Sequence, residues 1–121
     1  MVLKTLSNLR PFVAGDDTRL REILHPKNDK LSLPYSLAFA KLDAGKSSLP
    51  HKLSQSHEVY YILQGKGRIH VNGVQKEVSK DDTIFVPADS IQQIENLGKV
   101  ELQFLCIVSP PWSGEEEELI R

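Results

Sequence analysis

From Leu31 onward, apolar and polar positions alternate in short runs separated by turn residues. "YSLAFAKL" (35–42) is an apolar run that closes at the turn cluster "DAGKSS" (43–48). "HEVYYILQ" (57–64), rich in β-branched and aromatic residues, stops at Gly65-Lys66-Gly67. Side chains alternate along a strand, so Glu58, Tyr60 and Ile62 share one face and His57, Val59, Tyr61 and Leu63 the other. Ile62 and Leu63 are both apolar, and periodicity alone leaves open which face is inside. "RIHVNG" (68–73) sets Ile69 and Val71 against Arg68, His70 and Asn72. Asn72-Gly73 predicts a tight hairpin, because a type I′ turn needs positive φ at both central residues. "VQKEVSKDD" (74–82) reads as a polar edge strand, "TIFVP" (83–87) as a short buried run ended by proline, and "IQQIEN" (91–96) alternates. "VELQFLCIV" (100–108) is the last long strand, stopped by Pro110-Pro111. Turn signals every ~8–12 residues predict an all-β sandwich or barrel.

The chain ends read differently. "GDDTRLREILHP" (15–26) opens on capping residues, carries Leu20, Ile23 and Leu24 at helical spacing and ends at proline. It predicts one short N-terminal helix, with His25 satisfying the last carbonyls. "SGEEEELIR" (113–121) is a charge run with few apolar anchors and predicts a solvated tail. The expected organisation is one domain over 1–121, with an N-terminal extension (1–30), a barrel (31–108) and a C-terminal tail (109–121).

The 121 residues suffice for one core, and the net charge of −1 gives no ground for nucleic acid or an anionic membrane as partner. No run approaches the ~20 apolar residues of a membrane span, and "MVLKTLSNLRPF" lacks the apolar region of a secretory signal, so a soluble, cytoplasmic protein is expected. The single cysteine, Cys106, sits in an apolar run and reads as a buried structural thiol.

Chemistry concentrates around "PHKLSQSHEVYYILQGKG" (50–67), which holds two of the four histidines. A carboxylate such as Glu58 at the head of an apolar strand needs compensation, because an unpaired buried charge is costly; a cation would supply it. Residues 45–65 resemble the first motif of the cupin superfamily: Gly45, five residues, His51, Lys52, Leu53, four residues, Glu58, six residues, Gly65. Residues 81–96 resemble the second: Asp81, five residues, Pro87, Ala88, Asp89, two residues, Gln92, three residues, Asn96. The resemblance spans about residues 31–108 and implies a cupin-type double-stranded β-helix, or jelly-roll barrel.

It also implies a metal set, from which this chain departs. His51 and Glu58 stand at family ligand positions, but Leu53 and Gln92 occupy two usual histidine positions. Asp81 and Asp89 replace motif glycines; aspartate tolerates left-handed backbone better than most residues. His51, Glu58 and Gln92 are therefore the expected ligands of a divalent ion (Mn, Fe, Ni or Zn), with His57 an added ligand if the preceding bend turns its ring inward. Tyr60, on Glu58's face, is the candidate proton donor or a hydrogen-bond partner to a ligand. His70 reads as an exposed or interface histidine. The first functional expectation is a metal-dependent oxygenase, isomerase or lyase acting on a small molecule. The alternative is a non-catalytic cupin that binds a sugar or small organic acid in a metal-free pocket. Family habit further implies a homodimer.

Overall fold

The computed structural model describes residues 1–120; Arg121, the last residue of the expected tail, lies outside the described residues. Eleven strands follow one another: β1 (Phe12–Val13), β2 (Arg19–Leu24), β3 (Ser36–Leu42), β4 (His51–Leu53), β5 (His57–Gln64), β6 (Lys66–Val71), β7 (Val74–Ser79), β8 (Thr83–Val86), β9 (Gln92–Asn96), β10 (Leu102–Ser109) and β11 (Glu117–Leu119). They form a six-stranded sheet in the order β1-β2-β3-β10-β5-β8 and a five-stranded sheet in the order β11-β4-β9-β6-β7, all antiparallel. Between the sheets lies a core built from alternate residues, including Ala40, Leu42, Ile62, Ile69, Ile94, Leu102 and Phe104. No helix among the described residues is long and apolar enough to cross a membrane.

The long strands follow their alternation. On β5 the pattern resolves in favour of Glu58, Tyr60 and Ile62, which are buried while His57, Val59 and Tyr61 are partly exposed. Ile62 wins over Leu63 because β5 pairs with β10 in a register that sets Ile62 opposite Phe104 and Tyr60 opposite Cys106, all in the core. The Asn72-Gly73 turn takes φ of 48° and 83°, as a type I′ hairpin requires. Asp81 and Asp89 also hold positive φ, 72° and 62°. Their short side chains tolerate what a motif glycine would otherwise supply.

Four expectations are corrected. The helix predicted over 15–26 is absent; Arg19–Leu24 is β2, paired with β3. Helical propensity is a weak prior, and a neighbouring strand with free hydrogen-bonding groups overrides it. Among the described residues, helix appears only as a 3₁₀ turn (Leu6–Asn8) and a single α-turn, α1 (Pro26–Asp29). Pro26 begins α1 instead of ending a helix: a proline at the first helical position lacks only an N–H that would be unpaired anyway. His25 is accordingly an N-cap, accepting from the Lys27 N–H, and not a C-terminal residue. The tail is not wholly solvated, since Glu117–Leu119 pairs with β4 as β11. Finally, "TIFV" is a sheet edge: Val86 is buried but Phe85 is 60% exposed.

Gly67 marks where the two halves of the core close. A Cβ there would lie 2.8 Å from the Glu95 carbonyl oxygen on β9 and 3.0 Å from Leu102 Cδ2. Gly67→Ala is expected to cost about 1–3 kcal/mol through overpacking, measured by urea unfolding; an unchanged midpoint contradicts this close approach.

Candidate functional site

One end of the sandwich encloses a cavity of about 270 Å³. His51 and Leu53 of β4, Glu58 and Tyr60 of β5 and Cys106 of β10 line it from the barrel. The β1–β2 turn contributes Asp16 and Thr18, and the C-terminal strap contributes Trp112 and Glu117. His51 and Gln92 come together because β4 and β9 pair at that one register position.

His51 is held in a defined orientation. Its Nδ1 is 2.8 Å from the Leu49 carbonyl oxygen, to which it donates, leaving Nε2 as the unsubstituted nitrogen of the neutral ring. Asp16 Oδ2 lies 3.5 Å from Nε2. Asp16 is itself fixed: its Oδ1 accepts from the Thr18 N–H (3.1 Å) and hydroxyl (2.6 Å), so Oδ2 is the oxygen left for the ring. The Leu49 N–H also donates to the Asp16 carbonyl at 2.7 Å, tying the β1–β2 turn to the segment just before β4.

Glu58 is 7% exposed. Burial pushes its carboxyl up to about 7; the His51 ring opposes the rise, the Asp16 charge adds to it, and the Cys106 thiol and Gln92 amide oppose it. The Tyr60 hydroxyl donates to Gln92 Oε1 in a short hydrogen bond, and the Tyr60 ring packs edge-on against Phe104, centroids 5.4 Å apart. Burial, and after it the Glu58 charge, pushes both the Tyr60 phenol and the Cys106 thiol well above their ordinary range, so both stay protonated at neutral pH. Cys106 is buried and free, as its apolar run predicted.

The other histidines stand apart. His57 faces away from the cavity, its ring centroid 5.3 Å from that of Phe85, and β5's alternation keeps it there. His70 Nε2 is 2.8 Å from Glu95 Oε2 on the outer face. His25 lines the cavity with both ring nitrogens engaged: Nδ1 accepts from Lys27, and Nε2 donates to the Trp112 carbonyl at 2.8 Å.

These residues do not fit a cupin metal ion. Among the described residues, no three His, Cys, Asp or Glu side chains come together as a ligand group. Gln92 would have to complete the set of His51 and Glu58, but its carbonyl oxygen already accepts a hydrogen bond from the Tyr60 hydroxyl. Leu53, where a second imidazole is usual, is buried at 3% exposure and presents only hydrocarbon. Sequence reasoning missed Asp16, Trp112 and Glu117, because it assigned their segments to a helix and a tail. The Asp16-x-Thr18 pattern was legible as a turn in which aspartate accepts from the residue two positions on.

Comparison with known proteins follows the same outline. The family model described as "Cupin domain" matches residues 38–108. The chain is 38% identical over 120 residues to the uncharacterized protein MJ1618 of Methanocaldococcus jannaschii, covering 98% of this chain and 95% of that protein. The crystal structure of a predicted oxalate decarboxylase from Thermotoga maritima superposes with a TM-score of 0.78 at 27% identity, covering 90% of this chain and 98% of that one. The Streptomyces nucleoside dehydratase Pac13 shares the fold, with a TM-score of 0.81 at 15% identity over 100% of this chain and 92% of that one.

Two outcomes test this geometry. Glu58 binds its proton more tightly in the folded protein than in the unfolded chain, whose carboxyl titrates near 4.5. Stability therefore falls as pH rises from about 4.5 to about 7 and levels off above, a loss of about 3 kcal/mol. Urea unfolding in chelator across that range shows the fall in the wild type and its loss in Glu58→Gln; an equal slope in both proteins contradicts the assignment. Separately, Tyr60→Phe leaves Gln92 Oε1 without its donor and is expected to cost about 1–3 kcal/mol by the same measurement.

Proposed function

The chain belongs to the cupin family, and from that premise we propose that its cavity takes up a small organic molecule and moves a proton on it without a resident metal ion. The observation that carries this reading is His51: a ring fixed by the Leu49 carbonyl, with Nε2 at the cavity and the Asp16 carboxylate 3.5 Å away. A base held by a carbonyl on one nitrogen and countered by a carboxylate at the other is suited to proton abstraction. In this role His51 Nε2 takes a proton from a carbon beside a carbonyl, the electron pair moves toward the carbonyl oxygen, and the positive charge gained by the ring is met by Asp16.

Glu58 supplies the matching acid. Its carboxyl, pushed up to about 7 by burial, is partly protonated near neutral pH and can return a proton to the oxygen or to a leaving group. Tyr60 serves as a positioning residue, because its proton is committed to Gln92 and it thereby holds the amide beside Glu58. Leu53 and Phe104 exclude water from the same end. The reaction class this supports is isomerisation or elimination.

The test follows carbon-bound protons. Protein prepared in chelator is incubated in D₂O with a panel of small hydroxy ketones, amino ketones and aldoses, and exchange is read by proton NMR. Exchange with at least one compound is expected, and His51→Ala is expected to slow it by roughly a hundred- to ten-thousand-fold. Uptake of one equivalent of Mn²⁺, Fe²⁺, Ni²⁺ or Zn²⁺, lost in both His51→Ala and Glu58→Ala and required for exchange, overturns the metal-independent reading. A cavity that binds panel members with no exchange in any of them supports the non-catalytic binding alternative instead.

A further inference from the structure

The charge that lines the cavity is one-sided. Asp16, Glu22, Glu58 and Glu117 contribute four carboxyl groups, while among the described residues no lysine or arginine lines it. Both ring nitrogens of His25 are engaged, Nδ1 with the Lys27 N–H and Nε2 with the Trp112 carbonyl. His51 is the lining imidazole whose Nε2 faces a carboxylate, that of Asp16. Glu58, more than nine-tenths buried, meets no ammonium or guanidinium of the described residues.

Two of the carboxylates are built with a spare oxygen. Asp16 uses Oδ1 on Thr18 and keeps Oδ2 at the cavity side near His51. Glu117 uses Oε2 to accept from the Trp112 indole N–H at 3.0 Å, and its Oε1 faces Gly15, where a Cβ would lie 3.6 Å away. The two charges are near enough that Asp16, second to burial, raises the Glu117 carboxyl. Around them the walls are apolar, with Leu20, Ile94 and Phe104 inside and the exposed rings of Phe12 and Trp112 at the rim. Ring faces attract cations as the carboxylates do.

We propose that the ligand of this cavity is a small organic cation, an ammonium group on a compact apolar or hydroxylated skeleton, whose positive end docks between Asp16 and Glu117. This deepens the acid–base reading above and rests on it. A dianion such as oxalate is disfavoured in the same place, because Asp16, Glu22 and Glu117 would repel it and, among the described residues, no lysine or arginine lines the cavity to offset them. The predicted oxalate decarboxylase shares the fold, but these residues do not give this chain a site for that anion.

A matched series of probes decides the charge class: cyclohexylamine, cyclohexanol and cyclohexanecarboxylate, with oxalate as a fourth, titrated by calorimetry and amide NMR against the full chain in chelator. The amine is expected to bind at least ~10-fold more tightly than the alcohol, the strength of one charge-assisted hydrogen bond, with no binding of either anion. Asp16→Asn and Glu117→Gln are each expected to weaken the amine several-fold and leave the alcohol unchanged. Equal affinity for amine and alcohol, failure of the amine to bind, or preference for an anion overturns the cation assignment while leaving the metal-free pocket standing. Oxalate binding that appears only when Mn²⁺ is added overturns both readings together.

Discussion

The two-residue period of β5 is the constraint on which the site depends. A strand whose Ile62 is driven into the core must also send Tyr60 and Glu58 inward, because side chains alternate without exception along a regular strand. Ile62 packs with Phe104 and Leu102 at full burial. That burial offsets the cost of carrying a carboxyl into the same interior two positions beyond Tyr60. The cost is met locally by protonation: the carboxyl holds its proton to about 7.

Around this strand the two sheets supply complementary parts. The six-stranded sheet brings Glu58, Tyr60 and Cys106 through the pairing of β5 with β10. The five-stranded sheet brings His51 and Gln92 through the pairing of β4 with β9. The Tyr60–Gln92 hydrogen bond crosses from one sheet to the other and occupies one lone pair of the amide oxygen. Leu53, where the family motif usually places a second imidazole, makes the neighbouring wall apolar.

The chain ends finish the enclosure. The β1–β2 turn and β11 lie far apart in sequence yet meet at the cavity mouth, where Asp16, Glu117 and Trp112 gather. The β1–β2 turn is anchored by its backbone to Leu49, and β11 is anchored by pairing with β4. One anchor reaches β4 itself and the other the residues just before it, so the mouth and the base are parts of one hydrogen-bonded unit.

The alternation of apolar and polar residues marked β3 and β5–β10 but not the three-residue β4, and the spaced motifs pointed to the family and to the meeting of His51 with Gln92. The Asn-Gly turn and the left-handed aspartates were likewise local matters, legible because backbone sterics act on one or two residues at a time. The tertiary structure alone decided that Arg19–Leu24 is a strand, since the partner that captures it, β3, supplies the hydrogen bonds that a helix would otherwise make internally. It alone decided that β11 orders part of an acidic tail, and that the Gln92 amide oxygen meets the Tyr60 hydroxyl. It also decided that Asp16 and Glu117 stand beside His51. Those outcomes depend on which groups compete for the same donor or partner across a folded interior, and such competition has no counterpart in a one-dimensional pattern.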